Sequence, residues 1–182
     1  MSYRFLAGYL SYTVVRNPRI EANNLTSSPI FMETASLPLP TISVTMIYED
    51  APDLLEIETR VHSYSWQGVA RAYAATESLR QQAVALDTWC KHLTGEAVIE
   101  AGADTGVGWI LIRFYRADSA GQVLCHVTLA TGGVVANHRP EQVWRLSLEI
   151  PTEVDLVEQF ARSLQSALCS VGSTALLQGI SH

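Results

Sequence analysis

Alternation of apolar and polar residues in several short segments is the feature that most constrains how this chain can fold. Residues 41–48 (TISVTMIY), 54–64 (LLEIETRVHSY) and 143–150 (VWRLSLEI) place apolar residues at every second position. Because successive side chains of a β-strand point to opposite faces, this period predicts strands with one buried and one solvated face. Strands of that kind are typical of antiparallel sheets covered on one side.

The alternation also assigns residues to faces. The predicted core-facing residues are Ile42, Val44, Met46 and Tyr48, then Leu55, Ile57 and Val61, and finally Trp144, Leu146, Leu148 and Ile150. The opposite, solvated face of the second segment is formed by Glu56, Glu58, Arg60 and His62. Further strands are predicted at 97–99, at 107–116, which is apolar on both faces and therefore central, and at 122–131.

Two segments have helical spacing instead. Ser78 and Gln81 form an S-x-x-Q capping box, and Gly95 stands where a helix-ending glycine would. The apolar face between them consists of Leu79, Ala83, Leu86, Cys90 and Leu93. Thr152 is the predicted N-cap of the second helix, whose apolar face is formed by Leu156, Phe160, Leu164 and Leu168. Residues 65–77 fit either helical spacing or a continued strand.

The predicted order is therefore β-β-α-β-β-β-β-α. It indicates an α+β fold with a single antiparallel sheet of about five to six strands and two helices packed on one face. Residues 41–170 form this domain, residues 1–40 are a poorly patterned N-terminal extension or linker, and residues 171–182 are a C-terminal tail. We expect the functional domain to begin near Met32. Residues 1–31 would then be a loosely attached extension, or the result of a start codon assigned too far upstream. No secretory cleavage site follows the apolar residues 3–15, so a cytoplasmic protein is expected.

The charge distribution favours an interaction with a protein. The chain has 12 basic and 18 acidic residues, a net charge of −6, with +2 on the first 31 residues and −8 on the rest. An acidic body disfavours binding to nucleic acid or to an anionic membrane and is compatible with a basic partner. Five acids lie within ten residues, and we predict that they form a partner-binding patch. These acids are Glu49, Asp50, Asp53, Glu56 and Glu58.

No catalytic, cofactor or metal site is predicted. The glycines between Gly102 and Gly108 lack the lysine of a phosphate-binding loop and are read as a hairpin loop. The three cysteines, Cys90, Cys125 and Cys169, have no CxxC spacing and are expected to be small core residues in a reducing compartment. A site built from one of these cysteines and a histidine would need residues from distant segments. The four tryptophans could line a pocket between sheet and helices, although core positions are expected for each.

The order of elements over residues 66–168 resembles a group of small bacterial proteins that includes immunity proteins of the WapI type. The resemblance lies in the helix SLRQQAVALDTWCKHL, in the hairpin with Gly121-Gln122-Val123 at its turn, and in the strand that leads through Pro151–Leu156 into the last helix. It implies a non-enzymatic cytoplasmic protein that binds and neutralises one cognate toxin domain. Two alternatives stay open: a secretion-chaperone-like module that binds an extended peptide, and a small-molecule-binding domain or enzyme.

Overall fold

The computed structural model describes residues 38–49, 53–104, 106–118, 122–131 and 143–181. Within these ranges the chain forms eight strands and two helices. The strands are β1 (Thr41–Glu49), β2 (Leu54–Ser63), β3 (Trp66–Ala75), β4 (Glu96–Gly102), β5 (Gly108–Arg116), β6 (Val123–Thr131), β7 (Trp144–Thr152) and β8 (Thr174–Gln178). Helix α1 (Thr76–His92) follows β3, and helix α2 (Val154–Ala167) follows β7. The expected domain start near Met32 and most of the expected N-terminal extension lie outside the described residues.

The strands form two antiparallel sheets of four strands each. Sheet 1 has the order β3-β2-β1-β8, and sheet 2 has the order β4-β5-β6-β7. The α+β class and the antiparallel pairing are confirmed, but the expectation of a single sheet of five to six strands is wrong. The two strands absent from the predicted order, β3 and β8, form the two edges of sheet 1. Strand β5 is an interior strand of sheet 2, as its apolar composition predicts.

Strand β3 resolves the segment whose spacing fitted both a helix and a strand. It pairs with β2 along its whole length, from Leu54 opposite Ala75 to Ser63 opposite Trp66. Strand β2 would otherwise present an edge of unpaired backbone N–H and C=O groups on this side. The backbone hydrogen bonds that β2 offers therefore outweigh the helical spacing of a few apolar side chains.

Strand β8 lies in the segment predicted to be a C-terminal tail. It pairs with β1, from Thr41 opposite Gln178 to Thr45 opposite Thr174, and it buries Ala175 and Leu177. Five residues with two buried side chains are too few for a convincing alternation, so its position depends on the edge that β1 offers.

The two sheets meet where β3 crosses one end of sheet 2. A Cβ atom added to Gly108 at the start of β5 would lie 1.8 Å from the carbonyl oxygen of Arg71 in β3. A Cβ atom added to Gly68 would lie 2.5 Å from Cδ2 of Leu146 in β7. Glycine at these positions lets the backbone of one sheet approach the other more closely than a side chain would allow. Further along, the N–H of Ile180, just after β8, donates to the carbonyl of Pro151 in β7 at 2.9 Å.

One hydrophobic core is shared by both sheets and both helices. Helix α1 packs against α2 and β4, and α2 also packs against β8. Phe114 of β5 lies between Trp89 of α1 and Phe160 of α2, with ring centroids 6.5 Å and 6.1 Å away. Each of these buried aromatic side chains contributes about 2–3 kcal/mol to folding through burial alone. The predicted apolar faces of both helices are buried except for Leu93 and Leu156, which are half-buried.

Both predicted N-caps are wrong. Helix α1 begins at Thr76, immediately after β3, and Ser78 lies inside it, where its hydroxyl accepts a hydrogen bond from Gln82. Helix α2 begins at Val154 after Glu153, and the hydroxyl of Thr152 donates to the carbonyl of Gln178 instead. A strand leads into each helix, directly for α1 and through Glu153 for α2, so pairing in the sheet determines the conformation at both junctions. The C-terminal end of α1 also differs, because Leu93 takes the left-handed conformation before Gly95 does.

The close approach of β3 to sheet 2 predicts the effect of Gly108→Ala. The new Cβ would meet backbone, which cannot rotate away, so we expect the free energy of unfolding to fall by about 2–3 kcal/mol or more. Gly172→Ala is the matched control, because its φ of +84° strains alanine but no atom lies within 4 Å of the new Cβ. A Gly108→Ala variant as stable as the wild type in chemical denaturation would contradict the steric account.

Candidate functional site

The outer face of sheet 1, opposite the core, is a regular array set by the strand register. Directly paired residues lie on the same face, so the register aligns side chains in rows across the strands. Three rows are Tyr48–Glu56–Tyr73, Thr174–Thr45–Glu58–Arg71 and Leu176–Ser43–Arg60–Val69, and a fourth is Gln178–Thr41–His62–Gln67. The predicted assignment of Glu56, Glu58, Arg60 and His62 to one face is confirmed.

A β-bulge places Tyr48 on this outer face, although the alternation predicts that it faces the core. The register of β1 against β2 shifts between Met46 and Tyr48, so one extra residue turns the strand by one position. Tyr48 is 53% exposed as a result and lies opposite Glu56. Tyr73 lies opposite Glu56 from the other side and is 43% exposed.

The predicted acidic patch is only partly brought together. Glu49 and Asp53 are exposed at the β1–β2 end of the sheet, and Glu56 is half-buried between the two tyrosines. Asp50 lies outside the described residues. Exposed Leu54 adds an apolar side chain at the same end. We call this region the acidic end, and it consists of Glu49, Asp53, Glu56, Tyr48, Leu54 and Tyr73.

Glu58, the fifth predicted patch residue, has a different environment. It is 5% exposed, and its two carboxylate oxygens contact Arg60 Nη2 at 2.6 Å and Arg71 Nε at 2.7 Å. The hydrogen bond from Arg71, helped by Arg60 and opposed by burial, holds the pKa of Glu58 below its ordinary value of 4.5. One carboxylate thus neutralises only one of two guanidinium groups, and the three side chains together carry a positive charge. Glu58 is therefore a buried acid that positions two arginines, and it is not part of an exposed acidic surface.

A cleft of about 840 Å³ opens at the opposite end of this face, where sheet 1 meets the ends of β6 and β7. Thr41, Arg60 and His62 line it from sheet 1, and Leu129 lines it from β6. Its two indoles, Trp66 and Trp144, are 66% and 76% exposed. Trp144 was expected to face the core, and that expectation is wrong. Of the four tryptophans only Trp89 is buried.

The sequence does not predict the cleft, because the residues that line it are distant from one another along the chain. The sequence predicts the tryptophans as candidates for a pocket between sheet and helices, whereas the cleft lies between the two sheets. The only signal in the sequence is a tryptophan at the second position of each of two segments, the ambiguous 65–77 and the predicted strand 143–150. A residue at the end of a strand can extend past the layer that covers the strand, and it is then exposed whatever its face.

The outer face of sheet 2 carries a hydrogen-bonded chain of side chains. Arg113 Nη2 lies 2.9 Å from His126 Nδ1, and His126 Nε2 lies 2.8 Å from Ser147 Oγ. A guanidinium can only donate, so Nδ1 accepts, and in the neutral ring Nε2 carries the proton. His126 therefore donates to Ser147 and cannot take its proton, which is the reverse of a Ser–His catalytic pair. Cys125 next to it points to the other face and is fully buried.

The cysteines differ in accessibility. Cys90 and Cys125 are buried as expected, whereas Cys169 is exposed, contrary to the expectation of three core residues. Burial raises the pKa of the Cys90 thiol from 9.0 to about 11, with a smaller contribution from nearby Glu158. Burial also raises the pKa of Cys125 well above its ordinary value. Neither buried thiol is a nucleophile near neutral pH.

Comparisons with protein-family models, with curated proteins and with solved structures found no match for this chain. Among the described residues, no group of three or more His, Cys, Asp or Glu side chains could hold a metal ion. Neither α1 nor α2 is long and apolar enough to span a bilayer, and no other helix occurs in the described ranges.

The environment of Glu58 predicts a pH-dependent effect of Glu58→Gln. At about pH 7 the variant should lose about 1–3 kcal/mol of unfolding free energy, because a neutral amide cannot hold two guanidinium groups. The lowered pKa means that the stabilisation is complete above pH 4.5 and disappears as the pH falls through the lower pKa of the folded state. Chemical denaturation at about pH 7 and at successively lower pH values follows this loss. A pH-independent difference would contradict this account, and Glu49→Gln is the control.

Thiol accessibility predicts the reaction of the native protein with a chromogenic disulfide reagent. One thiol of the three should react rapidly at about pH 8, and all three should react after unfolding. Cys169→Ser should remove the rapid reaction and leave the slow ones unchanged. A second rapidly reacting thiol in the native protein would contradict the burial of Cys90 and Cys125.

Proposed function

We propose that this protein is a cytoplasmic, non-enzymatic binding module that neutralises a cognate toxin, and that the toxin domain docks on the acidic end of sheet 1. The observation that carries the proposal is the row Tyr48–Glu56–Tyr73, in which an acid lies between two exposed tyrosines across three strands. The resemblance to WapI-type immunity proteins specifies the class of partner, a toxin domain.

The chemistry of the acidic end suits a basic protein surface. Tyrosine is enriched among the residues that dominate binding energy, because a rigid ring buries much area and its hydroxyl still finds a hydrogen-bond partner. Glu49, Asp53 and Glu56 would surround these anchors with negative charge. The net charge of −6 would add a long-range attraction that speeds association with a basic domain.

The environment of Glu58 reduces the number of acids that we propose to contact the partner. Its carboxylate is occupied by Arg60 and Arg71, so a partner would have to compete with two ion pairs to reach it. The acids proposed to contact the partner are therefore Glu49, Asp53 and Glu56, with Asp50 kept from the sequence prediction. Glu58 would act indirectly by fixing the two arginines beside them.

Charge reversal at the acidic end tests the proposal. The tagged protein, used as bait in a lysate of the source organism at low salt, should retain one basic protein in stoichiometric amount. The double variant Glu49→Lys/Glu56→Lys should bind that protein more weakly by about 1–2 kcal/mol, chiefly through slower association. Tyr48→Ala should weaken binding by about 2 kcal/mol, chiefly through faster dissociation. Surface plasmon resonance separates the two rates.

Glu96→Lys is the matched control, because Glu96 is exposed at the start of β4, outside the acidic end. Its ion pair with Arg113 is loose, with 3.9 Å between the charged atoms. Its binding should equal that of the wild type. The recovered protein should also be toxic when expressed alone and harmless when co-expressed with this chain. Failure to recover a basic partner, equal binding by the double variant, or a partner without toxicity would each contradict the proposal.

A further inference from the structure

The cleft between sheet 1 and the end of sheet 2 has the size and the shape of a ligand site. Its volume of about 840 Å³ falls within the roughly 300–1,000 Å³ typical of pockets for small molecules. It lies at the opposite end of the outer face from the row Tyr48–Glu56–Tyr73, with the row of Glu58 between them. It is therefore spatially separate from the region proposed to bind a toxin.

The walls of the cleft are mostly apolar. Leu129 and Leu146 line it from sheet 2, Leu176 lines it from β8, and the two indoles stand at its rim. Exposing large apolar side chains next to one another leaves surface that water solvates poorly. Leu129 is already buried. An apolar group that entered the cleft would cover the exposed Trp66, Trp144 and Leu176 and gain the free energy of their burial.

The ionisable side chains among the described lining residues are all basic, although the chain as a whole is acidic. They are Arg60, His62 and Arg145. The guanidinium of Arg145 is directed to Asp104 and lies 5.5 Å from the ring of Trp109, so it is already engaged. Arg60 and His62, which line the cleft from neighbouring rows of sheet 1, therefore form its polar end.

Arg60 is pre-positioned for an anion. Glu58, whose side chain is 6% exposed, holds one terminal nitrogen of Arg60 at 2.6 Å. The same carboxylate holds Arg71, so the charge of Arg60 is only partly matched. The remaining N–H groups of Arg60, whose side chain is 62% exposed, are available for a charge-assisted bond.

We infer that the cleft binds a small amphipathic carboxylate, with its apolar body between Trp66, Trp144 and the leucines and its carboxylate at Arg60 and His62. An apolar cleft whose ionisable lining side chains are all basic matches this class and disfavours the same apolar body with a cationic head. The site is independent of the acidic end, so it stands or falls separately from toxin binding.

Isothermal titration calorimetry with decanoate, below its micelle-forming concentration, tests the inference. Decanoate should bind one-to-one, and decyltrimethylammonium, which has the same chain and the opposite charge, should bind at least about tenfold more weakly. Acetate should not bind measurably, since it lacks the apolar body. Tryptophan fluorescence should shift to shorter wavelength with decanoate, because the exposed indoles become covered.

Variants assign the roles. The double variant Trp66→Ala/Trp144→Ala should weaken decanoate binding by about tenfold or more, and both side chains are exposed enough to be removed without unfolding the protein. Arg60→Gln should reduce the preference for decanoate over the ammonium compound, while Arg71 still holds Glu58. Arg80→Gln, on the exposed face of α1, is the matched control and should leave the preference unchanged.

His62→Gln provides a second polar-end variant in case Arg60→Gln disturbs folding, which circular dichroism would detect. Absence of decanoate binding at millimolar concentration would overturn the inference. Equal binding of the two charged compounds, or unchanged binding by the double tryptophan variant, would overturn it as well.

Discussion

The close contact between β3 and the end of sheet 2 is the constraint on which the rest of the structure depends. Strand β3 belongs to sheet 1 by hydrogen bonding, yet its backbone at Arg71 touches Gly108 of sheet 2. Because the sheets meet there without intervening side chains, their inner faces and both helices share one core. Within the described ranges the core is then complete without a layer over the outer face of sheet 1. That face remains exposed, and it is where we place both candidate binding regions.

The outer face of sheet 1 has opposite character at its two ends, and Glu58 lies between them. Toward Glu56 the face is acidic and carries tyrosines. Toward Arg60 and His62 it is basic and opens into the tryptophan-lined cleft. The carboxylate of Glu58 holds both arginines between these two ends.

The sequence predicts those parts of the fold that local patterns determine. The alternation in β1, β2 and β7 predicts the strands, and the helical spacing from Leu79 to Cys90 predicts the buried face of α1. The parts that it does not predict depend on partners distant in the chain. Strand β8 requires the edge of β1, and the ion pair between Glu58 and Arg71 requires the register of β3. The bulge that exposes Tyr48 inserts one residue into a segment whose sequence alternates regularly. The local pattern therefore does not predict the bulge.

The two large aromatic residues that alternation places wrongly, Tyr48 and Trp144, are both in candidate binding regions. Alternation states which face of a sheet a side chain belongs to, but not whether another layer covers that face along the whole strand. Tyr48 changes face at a bulge, and Trp144 keeps its face but lies at the first residue of β7, where the covering layer has ended. Local pattern and tertiary packing conflict at both positions, and a chain retains such exposed aromatic surface at a cost in solubility. Disagreement of this kind is expected at binding sites, where a residue serves an interaction outside the folded chain rather than the core.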